Sequence, residues 1–62
     1  MLYREHYGAV AGLIYRRTGN KHVTEDLAND VFVAAFCSIH TYRAEVPMLV
    51  WLRRIAHNRV NR

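Results

Sequence analysis

The chain has 62 residues, 52% hydrophobic and 23% charged, with a net charge of +4. That length holds one small domain with a marginal core, and the apolar share is too high for a disordered chain. No apolar run approaches the ~20 residues of a membrane span, the N-terminus lacks the layout of a secretory signal, and the lone cysteine, Cys37, excludes an intrachain disulfide, so a reducing, cytoplasmic setting is expected.

The charge is unevenly placed. Residues 1–42 carry four bases and four acids, whereas residues 43–62 carry Arg43, Arg53, Arg54, Arg59 and Arg62 against Glu45 alone. A clustered excess made only of arginine suits a phosphate-facing surface, although charge by itself fits a solvated helix face equally well.

The first predicted helix spans about 2–17. Tyr3, Tyr7, Val10 and Ile14 recur at three- and four-residue steps with Leu13 beside them, which places them on one face. Thr18-Gly19-Asn20 closes it, because glycine accepts the left-handed conformation that ends a helix; Arg16 and Arg17 suit its negative end. The second helix is expected over about 20–40, capped by Asn20, with Thr24 as the rival cap. Its buried stripe is read as Ala28, Phe32, Ala35, Phe36 and Ile39, with Val23, Leu27 and Val31 alongside. The opposite stripe is Asp26, Asn29, Asp30, Val33, Cys37 and His40.

After a break from His40 to Val46, Pro47 fits the first turn of a third helix over about 47–61. One face holds Leu49, Leu52, Ile55, Ala56 and Val60. Another holds Val50, Arg53, Arg54, His57, Asn58 and Asn61, whose long or planar donors suit phosphates and base edges. Three amphipathic helices with short connections imply an all-α, small three-helix bundle, the first two an antiparallel hairpin.

Two segments, in order and correctly spaced, carry a family resemblance. Thr24-Glu25-Asp26-Leu27-Ala28-Asn29-Asp30-Val31-Phe32 resembles the acidic A-E-D-L-x-Q-E-V-F segment of region 2 of bacterial RNA polymerase sigma factors. Tyr42-Arg43 followed by Trp51-Leu52-Arg53-Arg54-Ile55-Ala56-His57-Asn58 resembles the F-R … W-L-x-R-I-A-x-N segment of the same region. With the Leu2-Tyr3 … Tyr7 opening, the likeness covers nearly all of residues 1–62, and it is similar to the extracytoplasmic-function (ECF) subgroup.

The resemblance implies a transcription initiation domain with two working surfaces and no cofactor. Asp26, Asn29, Asp30 and Val33 would dock on the clamp coiled coil in the largest subunit of core RNA polymerase. Asn29 and Asp30 are each one methylene shorter than the family's glutamine and glutamate. At the promoter minus-ten element, Arg43, Glu45 and Met48 of the loop would form one side of a pocket that captures an unstacked non-template base, and Arg53, Arg54, His57 and Asn58 of the last helix the other, with Asn61 and Arg62 also binding the DNA. Asn58 matches the family asparagine, and its amide offers a donor and an acceptor to a base edge. Arg53 and Arg54 would fix the phosphate backbone. An anti-sigma factor is a further candidate partner. The family's second domain, region 4, is absent from these 62 residues.

The other singular residues have plainer roles. Trp51 is read as core and Tyr42 as an anchor of the loop; Met48 either packs beneath the loop or lines the base pocket. Cys37 is read as an inert, partly buried thiol. His6, His22, His40 and His57 share no helix face, and a zinc site needs about four convergent ligands, so no metal is expected. No serine or cysteine triad and no glycine-rich phosphate loop occurs, which excludes an enzyme. Two other classes stay open on the residues alone: a three-helix module reading the major groove of intact duplex, and a protein-interaction domain whose arginine helix meets an acidic partner.

Overall fold

Two residues, Gly19 and Asn20, are all that separate the first two helices, and both do the work expected of them. A computed structural model describes the backbone of residues 2–61 and the side chains of residues 4–61; the expectations placed on the side chains of Leu2, Tyr3 and Arg62 lie outside the described residues. Helix α1 runs Leu2–Thr18, α2 Lys21–Cys37 and α3 Met48–Val60, and a 3-10 turn covers Ile39–Thr41. Gly19 takes φ 63° and donates its amide to the Tyr15 carbonyl at 2.8 Å, closing α1 in the left-handed conformation that suits glycine. Asn20 caps α2, its side chain accepting from the Val23 amide at 3.0 Å.

Thr24, the rival cap, is instead buried, and its hydroxyl meets that of Thr18 at 2.6 Å. A second contact lies at the far end of the hairpin, where the Tyr7 and Phe32 rings stack with centroids 6.0 Å apart. Thr18 against Thr24 and Tyr7 against Phe32 define an antiparallel pair. Helix α3 packs against both, and the Arg17 guanidinium donates to Asn61 Oδ1, so the C-terminal ends of α1 and α3 meet.

Eight side chains form the core: Val10 and Ile14 of α1; Ala28, Val31, Phe32 and Ala35 of α2; Leu52 and Ala56 of α3. Three of the eight are alanines, which lets the helices approach closely. Tyr7, Leu13, Leu27, Met48, Leu49, Trp51, Ile55 and Val60 pack around that centre. No strand occurs among the described residues.

The structure corrects the second helix in five places. Phe36 is 76% exposed and Ile39 is 42% exposed, so neither belongs to the buried stripe. At 100° per residue, Phe36 sits about 80° round from Ala28, outside the arc of roughly 100° bracketed by Val31 and Phe32. It stands beside Asn29 and Val33 on the outward side. Helix α2 also stops at Cys37, short of residue 40. The Ser38 hydroxyl donates to the Ala34 carbonyl, its amide to Ala34 and Ala35, and the chain tightens into the 3-10 turn that carries Ile39 off the helix surface. Cys37, expected to be partly buried, is exposed, and Val23 is half-exposed.

The contrast between Leu52, with no exposed surface, and Phe36 is directly measurable. Leu52→Ala is expected to cost about 2–5 kcal/mol of stability, and Phe36→Ala less than ~0.5 kcal/mol, both from urea unfolding midpoints. Equal losses would return Phe36 to the core.

Candidate nucleic-acid interface

Helix α3 presents its donors because its other side is used up. Leu52 and Ala56 are fully enclosed, and Leu49, Ile55 and Val60 flank them. Arg53, Arg54, His57 and Asn58 are therefore turned outward, and all four are exposed. Arg53, Arg54 and Asn58 have no side-chain partner among the described residues, which leaves their hydrogen-bonding capacity for something outside the bundle. Asn61, also exposed, is by contrast already engaged: it accepts from Arg17, and its amide nitrogen lies 2.9 Å from His57 Nε2.

These residues do not stand on an open face. They line a groove of about 620 Å³ between the C-terminal half of α1 and α3. Arg53, Arg54, His57 and Asn58 form one wall, and Arg16 and Arg17 rise from α1 on the other. Sequence reading assigned Arg16 and Arg17 only to the helix terminus. Their meeting with α3 depends on how the hairpin packs against it, and the one signal within the sequence was the doubled arginine next to core residues Leu13 and Ile14.

The loop before α3 has its own scaffold. The Tyr42 hydroxyl donates to the Val46 carbonyl, and the Val46 amide donates to the Arg43 carbonyl at 2.9 Å, closing a turn. The Tyr42 ring packs on Trp51 with centroids 5.1 Å apart and planes 46° apart, so Trp51, half-buried, ties the loop to the first turn of α3. Pro47 stands just before the helix as its cap residue, and its carbonyl accepts from Val50 and Trp51. Arg43 and Glu45 pair at 3.0 Å with both side chains mostly in solvent, and Met48 packs against the core.

The loop and the groove are separate places. Met48 and Asn58 are ten residues apart, about 15 Å along a helix rising 1.5 Å per residue, and no loop residue lines the groove. Arg43, Glu45 and Met48 therefore come together at one end of α3, and Arg53, Arg54, His57, Asn58 and Asn61 at the other.

The acidic stripe lies on α2. Asp26, Asn29, Asp30 and Val33 are all exposed, Val33 to 62%. Asp30 reaches Arg59 of α3 at 3.7 Å. Arg59 is less exposed than the other arginines of α3, and its guanidinium meets the carboxylate. Among the described residues, no three of His, Cys, Asp and Glu come together as metal ligands, and no helix is long and apolar enough to cross a membrane.

The architecture is that of a small helical module that presents side chains to a partner. A family described as Sigma-70 region 2 matches residues 2–62. Among curated relatives, RNA polymerase sigma factor YlaC of Bacillus subtilis is 35% identical over 57 residues, covering 92% of this chain and 33% of its own length. ECF RNA polymerase sigma factor SigE of Mycolicibacterium smegmatis is 39% identical over 57 residues, with 92% and 22% covered. ECF RNA polymerase sigma factor SigW of B. subtilis is 39% identical over 46 residues, with 74% and 25% covered. No solved structure matches the chain significantly. The chain belongs to the Sigma-70 region 2 family, and the relatives it resembles include ECF-type sigma factors. It spans between 22 and 33% of the length of these relatives.

Tyr42 supplies a test of the loop scaffold. Tyr42→Phe keeps the ring on Trp51 and removes the bond to Val46. It is expected to cost about 1 kcal/mol and to speed amide exchange at Val46, whose N–H closes the turn. Unaltered exchange there would show that the turn holds without the hydroxyl.

Proposed function

We propose that this domain docks on core RNA polymerase through the outer face of α2 and holds the melted non-template strand of the minus-ten element along α3. The observation that carries the proposal is the set of donors Arg53, Arg54 and Asn58, unpartnered among the described residues, on the outward side of α3 that lines the groove. Guanidinium groups recognise phosphate wherever the sequence lies, and a carboxamide can pair with a base edge. Arg53 and Arg54 position the backbone, Asn58 reads a base, and the loop from Arg43 to Met48 reads another about 15 Å away. One extruded base cannot touch both ends of that span, so the strand runs along the helix from loop to groove. Such recognition needs unstacked bases, which is the state promoter melting supplies. Arg62 would extend the same cationic end. This activity places the protein beside the polymerase in the bacterial cytoplasm.

The docking face follows from α2. Asp26, Asn29, Val33 and Phe36 recur at alternating three- and four-residue steps along α2, the spacing with which a helix meets a coiled coil. Carboxylates at one end suit basic residues on the partner. Val33 and the exposed Phe36 supply the apolar centre that such an interface desolvates.

Asn58→Ala is expected to reduce discrimination between the best-bound non-template strand and a scrambled one more than it reduces overall affinity. Arg53→Ala or Arg54→Ala should weaken both strands alike and flatten the salt dependence by about 0.7 of a unit of slope, the share of one phosphate contact on a single strand. Fluorescence anisotropy across a salt series reads both. Equal losses on the two strands for Asn58→Ala would remove its base-reading role, and tighter binding to intact duplex than to either strand would favour major-groove reading.

Asp30→Arg should abolish capture by a clamp coiled-coil fragment of the polymerase's largest subunit. The fold should survive, since an exposed pair such as Asp30–Arg59 contributes at most about 1 kcal/mol. Capture at the wild-type level would take Asp30 out of the interface.

A further inference from the structure

Arg16 and Arg17 face the donors of α3 across the groove, and the reading of α3 alone gives them no task. Four guanidinium groups thus share one open cleft, and among the described residues no carboxylate lines it. Arg17 is engaged with Asn61, and Arg16 has no side-chain partner among the described residues. The plain account is that both arginines satisfy the C-terminal dipole of α1. Each helix end carries only about half a negative charge, so the two ends that meet here offset about one of the four positive charges. The remainder is a concentrated positive field that no described residue lining the cleft balances.

The floor of the cleft narrows the choice of ligand. Leu13, Val50, Ala56 and Val60 supply apolar surface between the cationic walls. Cationic walls over an apolar floor match a chain that alternates phosphates with flat, unstacked bases. An acidic peptide would satisfy the guanidinium groups and could accept from the Asn58 amide, but its carboxylates would gain nothing from the apolar floor. We propose that Arg16 and Arg17 form the second wall of a single-strand channel, gripping phosphates of the strand whose opposite side is held from α3. This rests on the reading of α3 as the strand-binding helix.

The test is anisotropy of the chain with labelled single strands, matched and scrambled, over a salt series. Arg16→Ala with Arg17→Ala is expected to weaken both strands by the same factor. The slope of log affinity against log salt should flatten by roughly 1.4, two phosphates at about 0.7 each on a single strand. Arg16→Lys with Arg17→Lys should restore the slope, which a loss of packing could not do. Should the alanine pair unfold, Arg16→Gln and Arg17→Gln singly should each show about half the change in slope. Unchanged affinity and slope in a folded variant, with wild-type binding intact, would overturn the second wall and leave the α3 reading standing. So would a loss seen only with a polyglutamate peptide. Failure of the wild-type chain to prefer any single strand would remove the α3 reading first, and this inference with it.

Discussion

Leu52 and Ala56 enter the bundle with no exposed surface, and a helix held at two positions four residues apart keeps little freedom to rotate about its axis. That anchoring decides which side chains of α3 see solvent. Arg53 lies about 100° and His57 about 140° round from Leu52 in one sense, Asn58 about 120° in the other, and Arg54 between them at the back. Rotating α3 by a third of a turn would bury an arginine and expose Leu52, a change whose desolvation cost no partner in this small core could offset. The cationic surface is therefore a consequence of the apolar one. The same seating brings the end of α3 against the end of α1, where Arg17 meets Asn61.

Alanine at the centre makes this possible in so short a chain. Ala28, Ala35 and Ala56 are all fully buried, and their small volume lets three helices share one core without bulky side chains to fill the space between them. The larger groups are spent at the margins. Tyr7 on Phe32 tightens one end of the hairpin, while Tyr42 on Trp51 ties the connecting loop to α3. Stiffness in the loop thus comes from aromatic packing and a hydroxyl–carbonyl bond, and its single proline only sets the entry to the helix.

The legible parts of the sequence were those governed by local chemistry. Gly19 and Asn20 declared the turn, because only particular residues close or open a helix there. The two faces of α3 were plain because its apolar and donor residues do not mix. Phe36 was misread because hydrophobicity is a one-way guide: its position 80° from Ala28 left burial undecided, and only the packed helices show that nothing reaches it. The end of α2 was misread for a similar reason, since a serine that bonds back to Ala34 can sit within a helix or help to finish one. Arg16 and Arg17 were legible as a helix end and illegible as a wall. Pairing them with Arg53 and Arg54 requires knowing which helix ends converge, and that is a property of the tertiary packing alone.

The acidic and cationic surfaces touch at one point, the Asp30–Arg59 pair, and its strength bears on whether one surface can influence the other. At 3.7 Å with Asp30 more than half exposed, the pair belongs with solvent-screened ion pairs worth about 0–1 kcal/mol. A partner that takes Asp30 for itself releases Arg59 at little expense, and α3 stays where Leu52 and Ala56 hold it. That release cannot swing the helix, because one kilocalorie is small beside the ~2–5 kcal/mol tied to a single buried leucine. What it can do is free one more guanidinium at the end of α3. Any communication between the two surfaces in this bundle is therefore a matter of charge made available, with the backbone unmoved, and the packing of α2 against α3 holds the acidic face of α2 and the donor face of α3 at one mutual angle.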